Sequence, residues 1–444
     1  MVKIELMLVV TLENPLRKFL RYFNTHKLIE GLAVAILGSL FIYLALFEYK
    51  FTILNTILGV AFLFAILQQS SKGWFWSGFF IGVFWFWWMG VSFYYYGYTF
   101  AIPLVIFLVG AVYGLEFFLV SKVIEIISFR LFKLYQKEIQ IILKAIFLFI
   151  ASYIHPFGFN WFKVELIFVN SFLGVDKLSF GATLVGVVLA LILRGKLKYI
   201  LVIFFILAIS FDSYKVSYSD KDKIELITTK IDVRDKWNIK KIPFQVRDVL
   251  FFIDRAIAKR KKAIVLPESV LPFFLNSSKE MLKELKKRSF NIDIVLGALY
   301  QDKNQNRNSL YFFHKGEFIV SNKVVLVPFG ESNPLPKWAS RWVNRIFFDG
   351  APDYTPAKKP TDFFIDNKKF RGAICYEGTS DKIYKNSPKQ LIVISNNGWF
   401  YPSIEPILQK LLFIYYVRVY KVSIYHSSNM SSSFKIFPKK FNFF

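Results

Sequence analysis

Thiols are all but missing from this sequence: Cys375 is the only cysteine in 444 residues. An intrachain disulfide is thereby excluded, and so is any metal cluster built on cysteine. Histidine is nearly as scarce. His26, His155, His314 and His426 lie far apart without metal-ligand spacing, so they read as surface or locally bonded residues and no metal is expected. Acidic residues are few as well, with Asp+Glu 31 against Lys+Arg 57 and a formal net charge of +26. Such an excess raises two partners, nucleic acid and an anionic membrane surface. The lysines are scattered rather than gathered into a basic helix or an aromatic-interleaved stripe, which argues against nucleic acid and for the membrane.

Charge of either sign is absent from residues 74–115. The chain is 55% hydrophobic and 19% aromatic, with a mean hydropathy of +0.40. Almost all long charge-free runs precede Phe211, and charge becomes dense from Asp212 onward. A spanning helix needs about twenty mostly apolar residues to cross roughly 30 Å of hydrocarbon. The runs 28–47, 51–67, 74–95, 100–120, 141–156, 179–193 and 197–211 approach that length, which predicts about seven spans over residues 1–212. The Tyr94–Tyr98 segment is expected to turn at an interface, and an outer loop is expected near 157–178. The apolar run 4–10 is short, lacks a small-residue cleavage site and is not read as a signal peptide.

Orientation follows from the basic residues of alternate loops: Arg17, Lys18, Arg21 and Lys27; Lys72; Arg130, Lys133, Lys137 and Lys144; Arg194, Lys196 and Lys198. These belong on the cytoplasmic side. An odd number of spans then places everything after about Asp212 outside. Intramembrane charge is confined to Glu30, Glu116, Lys122 and Glu125 near run ends, which argues against a transporter with its polar relays.

Beyond Lys223 the pattern changes. Short β-rich runs at 224–229, 263–266, 293–299, 310–314, 318–326, 372–375 and 390–395 accompany helical stretches at 244–259 and 278–288. This succession predicts an α/β layered domain over 213–444. Three strand ends carry chemistry: Val265-Leu266-Pro267-Glu268-Ser269, then Asn322-Lys323 followed by Val324-Val325-Leu326-Val327-Pro328-Phe329-Gly330-Glu331, then Gly372-Ala373-Ile374-Cys375-Tyr376-Glu377. A carboxylate, an ammonium and a thiol suffice for covalent acyl chemistry. Taken singly each has a plainer reading, the cysteine as a core residue and the Glu268/Lys323 set as a structural ion pair.

Their order along the chain resembles the nitrilase superfamily. The multi-span N-terminal half and the run from Leu326 to Glu331 are similar to its membrane-anchored branch, the bacterial apolipoprotein N-acyltransferases, over nearly the whole chain. Lys236-Trp237, Asn160-Trp161, Phe180-Gly181 and Ser395-Asn396-Asn397-Gly398-Trp399-Phe400 add to the likeness. The resemblance implies a membrane α-helical bundle followed by a nitrilase-like α-β-β-α sandwich, with Glu268, Lys323 and Cys375 catalytic and Trp237, Glu331, Tyr376 and Glu377 around them. It further implies a monomer without cofactor, taking an acyl chain from a phospholipid such as phosphatidylethanolamine and passing it to a diacylated lipoprotein. Asn397 stands where the family commonly has Asp, a family His is missing near Lys410, and Arg418-Val419-Tyr420-Lys421 replaces an Arg-Ala-x-Glu run. A final apolar span is also absent, so the C-terminus is expected outside. The three site residues alone leave open a membrane-tethered amidase and a catalytically silent scaffold.

Overall fold

The computed structural model describes residues 25–440, apart from 220–222, 304, 337, 339, 342–344 and 346–352. The run 4–10 and Arg17, Lys18 and Arg21 lie outside the described residues. Among the described residues the main helices of the apolar half, besides the single turn Ser92–Tyr95, are α1 (Thr25–Leu44), α2 (Thr52–Gln68), α3 (Ser71–Phe86), α4 (Ile102–Leu131), α5 (Gln136–Ile150), α6 (Lys177–Ile192) and α7 (Leu201–Ala208).

Their lengths differ more than the apolar runs suggest. Four helical segments, Thr25–Phe47, Ser71–Tyr95, Thr99–Leu131 and Lys133–Gly158, are long and apolar enough to cross a membrane. By contrast α2 and α6 have 17 and 16 residues, and α7 has eight, preceded by the 3-10 turn Gly195–Ile200. At 1.5 Å per residue the two middle-sized helices reach only about 25 Å, short of a hydrocarbon layer of roughly 30 Å.

The bundle is apolar outside as well as in: Leu104, Phe107, Leu108, Leu115, Leu119 and Val123 of α4 are all exposed, as expected of a helix whose outer face meets lipid rather than water. Inside, α3 and α4 approach closely through small residues. A Cβ on Gly78 would lie 2.6 Å from the carbonyl oxygen of Tyr113, and one on Gly114 would lie 3.1 Å from that of Phe75, so neither position has room for a side chain.

Among the described residues twelve strands form the second half: β1 (Asp212–Ser217), β2 (Ile224–Leu226), β3 (Ala263–Val265), β4 (Leu271–Phe274), β5 (Asp293–Asp302), β6 (Gln305–His314), β7 (Glu317–Asn322), β8 (Asp362–Ile365), β9 (Lys368–Ile374), β10 (Gln390–Asn396), β11 (Ser423–Asn429) and β12 (Phe434–Lys440). They build two six-stranded mixed sheets, one in the order β1-β12-β11-β10-β9-β8 and the other β2-β3-β5-β6-β7 with β4 beside β5. Three helices flank them: α8 (Ile242–Ala258), α9 (Lys279–Arg288) and α10 (Glu405–Tyr420).

The layering follows from the two-residue period of the strands. In β3 and the residue after it, Ile264 and Leu266 join Val249, Ile253 and Leu285 of α8 and α9, whereas Val265 faces the other way to join Ile374, Ile392 and Ile394 of the second sheet. In β10, Leu391 and Val393 face back toward Leu408, Leu412 and Phe413 of α10. Phe312 and Phe363 stack across the two sheets with ring centroids 4.5 Å apart. The result is an α-β-β-α sandwich. Both faces of the central strands are covered, which is why β3, β5 and β10 carry near-continuous apolar runs rather than alternating.

The α10 layer does not stop at the sandwich. Its core is continuous with Trp85, Phe86 and Phe117 of the helical bundle through Trp161, Phe162, Leu166, Ile167 and Phe168. Within the stretch 157–178 expected as an outer loop, residues 160–171 are thus a buried seam between the halves. The Arg418 guanidinium donates to the carbonyls of Phe168, Val169 and Leu173 at 2.9, 2.9 and 3.1 Å, and the Trp161 indole N–H donates to Thr379 Oγ1 at 2.7 Å.

Candidate active site

Each of the three expected catalytic residues lies just beyond a strand. Lys323 directly follows β7 and Cys375 directly follows β9; Glu268 lies in the turn between β3 and β4. Cys375 opens a 3-10 turn with φ +51°, and Ser269 beside Glu268 has φ +46°. Left-handed backbone at residues with a Cβ is costly and tends to mark positions where the fold aims a side chain for use. Gly297 of β5 leaves room for the Glu268 turn: a Cβ there would lie 2.6 Å from the Glu268 Cα and 2.5 Å from the Ser269 nitrogen.

Lys323 is 1% exposed. A buried ammonium must be compensated, and two carboxylates do so: Lys323 Nζ lies 2.7 Å from Glu331 Oε2 and 4.0 Å from Glu268 Oε1. Asn308 ties the carboxylates together, its Nδ2 donating to Glu268 Oε1 at 2.7 Å and to Glu331 Oε1 at 2.9 Å. Burial opposes the lysine's charge, but Glu331 and Glu268 outweigh it and hold the ammonium above its ordinary range. Cys375 is affected in the opposite sense. Burial and the Glu268 carboxylate push its thiol well up, with Lys323 pulling against them, so the resting group is the thiol and a base must remove its proton.

The supporting residues divide. Glu331 grips Lys323 directly and accepts from the Val327 amide at 3.0 Å. Glu377 instead holds backbone, accepting from the amides of Val324, Val325 and Ile374 at 2.6, 3.2 and 2.8 Å, and so fixes the Lys323 loop against the Cys375 turn. Burial pushes its carboxyl up to about 7. Tyr376 points into the seam: its hydroxyl accepts from the Asn160 amide at 2.9 Å and donates to the Gly158 carbonyl at 3.3 Å, and its ring stacks on Phe159 and Trp161. Trp237 is 38% exposed, and among the described residues no hydrogen bond or ion pair joins it to Glu268, Lys323 or Cys375.

Several neighbours escaped the sequence reading. Lys236, rather than Trp237, reaches inward, its Nζ donating to the Glu268 carbonyl at 2.8 Å; burial, partly opposed by Glu268, brings it down to about 8. From α10, Gln409 Nε2 lies 3.9 Å from Cys375 Sγ and Gln409 Oε1 accepts from Asn397 Nδ2 at 3.2 Å. Tyr96 stacks on Trp399 with centroids 5.1 Å apart, and burial with the Glu331 charge pushes Tyr96 and Tyr354 up to about 12. The tyrosine turn thus closes over the catalytic sandwich.

The helical half, residues 25–211, matches the family model described as the apolipoprotein N-acyltransferase integral membrane domain. Apolipoprotein N-acyltransferase of Wolinella succinogenes is 38% identical over 408 residues, 91% of this chain and 94% of that protein. Those of Helicobacter pylori and Campylobacter jejuni are 36% and 32% identical, covering 87% and 93% of this chain and 88% and 90% of theirs. Among solved structures, a CN-hydrolase superfamily protein of Xanthomonas campestris aligns with 47% of this chain and 76% of its own, at 10% identity and a TM-score of 0.36. The near-full-length likenesses to the curated proteins show that this chain belongs to the apolipoprotein N-acyltransferase family of membrane-integral acyltransferases.

Proposed function

We propose that Cys375 carries the acyl group as a thioester between two half-reactions, with Glu268 as base and Lys323 as oxyanion partner. The observation that supports this most is the compensated Lys323 ammonium, held at one strand end beside the Glu268 carboxylate and coupled electrostatically to the Cys375 thiol.

In the first half-reaction Glu268 takes the thiol proton. The thiolate attacks an ester carbonyl of phosphatidylethanolamine, and a C–S bond forms. Negative charge gathers on the carbonyl oxygen, where the Lys323 ammonium and a backbone amide near Tyr376 meet it; each such donor is typically worth about 3 kcal/mol. The oxyanion collapses, the C–O ester bond breaks, and the lysophospholipid alkoxide leaves with the proton held by Glu268. In the second half-reaction the α-amine of a diacylglyceryl-cysteine attacks the thioester. Glu268 accepts the amine proton, the C–S bond breaks, and that proton returns to Cys375. Both substrates are lipids, which gives the continuous core between bundle and sandwich its purpose: it holds the thiol at the bilayer surface.

Residues 1–212 serve as the membrane domain of about seven helices and 213–444 as the catalytic domain. The strand β1, which starts at Asp212 and pairs with β12, supports that boundary. The basic loops support a periplasmic catalytic side. Fusing a periplasm-active reporter after Lys223 and a cytoplasm-active one after Lys137 checks the arrangement, and the reverse pattern refutes it.

Purified protein given labelled phosphatidylethanolamine and a diacylated lipopeptide is expected to yield triacylated peptide. Free fatty acid as the sole product overturns the transfer reading in favour of hydrolysis. Without acceptor, the intact protein is expected to gain one fatty-acyl mass that neutral hydroxylamine removes. Cys375→Ala and Glu268→Gln gain none, and an equal adduct on Cys375→Ala rules out the thioester.

A further inference from the structure

One buried carboxylate beside the thiol has no part in the scheme above. Glu405 opens α10 and is 1% exposed, and its Oε2 has no hydrogen-bond partner. Among the described residues no lysine, arginine or histidine pairs with it. The other buried carboxylates of the site are all engaged: Glu268 with Asn308, Glu331 with Lys323, Glu377 with three amides.

Glu405 nevertheless faces the chemistry. Gln409, four residues on and therefore on the same face of α10, approaches Cys375 Sγ at 3.9 Å. The charge of Glu405 bears on Cys375 and that of Glu268 bears on Glu405. The titratable groups around this point are Glu268 from the β3–β4 turn, Lys323 and Glu331 from the segment after β7, and Cys375 from the turn after β9. Of the cations near these groups, Lys323 is held by Glu331 and Lys236 donates to the Glu268 carbonyl, so neither pairs with Glu405.

A buried carboxyl with an unpartnered oxygen is costly to ionise unless a cation meets it in use; burial and the Glu268 charge keep the proton on Glu405 while the site is empty, and an arriving cation releases it to water. The reaction supplies a matching group. The acceptor's α-amine arrives as an ammonium, and two of its protons must depart before the amide is complete. One passes through Glu268 to the Cys375 sulfur. The other has no destination in the scheme.

We infer that Glu405 is the docking residue for the acceptor's α-ammonium: its carboxylate pairs with the cation next to the Cys375 thioester and accepts the first N–H proton, so that the neutral amine attacks. The proton then passes to water when the product leaves. This rests on the thioester reading above. In phospholipid acylation the ethanolamine ammonium sits on the head group, beyond the phosphate from the ester carbonyl that the sulfur attacks, so that step does not use Glu405.

The two half-reactions separate the roles. With phosphatidylethanolamine alone, Glu405→Gln is expected to form the acyl adduct within about threefold of the wild-type rate. Transfer from the preformed adduct to a diacylated lipopeptide at neutral pH slows by roughly tenfold to a hundredfold, with the larger part in the lipopeptide KM. Raising the pH toward 9, where more of the acceptor is already neutral, narrows the gap. Hydroxylamine, a small nucleophile that is uncharged at neutral pH, removes the acyl group from both proteins equally fast. Glu405→Asp, which keeps the charge, recovers part of the transfer.

Equal slowing of acylation, lipopeptide transfer and hydroxylamine cleavage would overturn the inference in favour of a structural role, and unchanged transfer overturns it outright. Failure of the wild-type protein to form the adduct defeats the thioester reading instead, and is told apart because it appears before any acceptor is added.

Discussion

Two buried cations hold this molecule together at different places and by different means. Lys323 sits in the catalytic ring between carboxylates; Arg418 sits in the seam among carbonyls. The carboxylates outweigh burial at Lys323 and keep its charge firmly in place, whereas burial dominates at Arg418 and draws its guanidinium below its ordinary value. The difference teaches what each charge is for. A point charge balanced by movable protons suits a reaction in which an oxyanion comes and goes. A planar fork that satisfies three carbonyls has nothing to exchange, and its work is to fix backbone.

The comparison is broken most sharply by removing each cation in turn. Lys323→Ala is expected to slow acyl-enzyme formation about a hundredfold or more, since the oxyanion loses its charged partner. Glu268 and Glu331 are then left as neighbouring buried carboxylates without a cation, and their like charges repel once both are ionised. Stability is consequently retained at low pH and lost as pH climbs above the ordinary carboxylate range. Thermal melts of the variant between pH 5 and 8, set against wild type, read this directly; a flat difference contradicts the assignment of Lys323 as the compensating charge.

Arg418→Ala is expected to do the converse. Three buried carbonyls lose their donors, at a cost of about 3 kcal/mol in stability, while the rate of adduct formation per folded molecule stays within a few-fold of wild type. Because carbonyls do not titrate, that loss is the same at pH 5 and pH 8. A smaller effect sharpens the ring itself. Gly297→Ala forces a methyl against the backbone of Glu268 and Ser269, with an expected loss of about 1–3 kcal/mol and roughly tenfold in acylation rate, measured by denaturation and by adduct mass.

The smallest effect concerns Glu405, whose carboxyl burial and the Glu268 charge push up to about 8. A raised acid binds its proton more tightly in the folded state, so its contribution to stability falls as pH rises from the ordinary carboxylate range toward 8. Glu405→Gln removes that dependence. Its melting temperature is expected to gain on wild type across this window, and parallel curves refute the burial of an unpaired carboxyl there.

The strand-end motifs made much of the ring legible. An apolar run stopping at Glu268, Lys323 or Cys375 says where a sheet ends, and the seven apolar runs each fall on a helical segment. What stayed hidden had no local signal. The α10 helix is buried nearly all round, with Leu408, Leu412, Tyr416 and even Gln409 and Arg418 inside, so it shows no amphipathic stripe by which to place Glu405 and Gln409. Strand β11 reads as polar, yet Ser427, Ser428 and Asn429 are wholly buried because each finds a hydrogen bond, Ser427 to the Ile227 carbonyl and Asn429 to Thr229 and Asn396. Sequence singled out the aromatic Trp237, while contact with the Glu268 loop belongs to Lys236 beside it. The Asn397 departure is one hydrogen bond from Gln409, and so two contacts from the sulfur.

The buried seam at 160–171 makes the catalytic half a fixture rather than a cargo on a leash. Trp161, Glu165 and Phe168 are locked to Thr379, Tyr415 and Arg418, so the sandwich cannot ride up or down against the bundle. The distance from Cys375 to the apolar helices is then a constant of the architecture, and any bond that reacts at the sulfur must be brought to it rather than met by it.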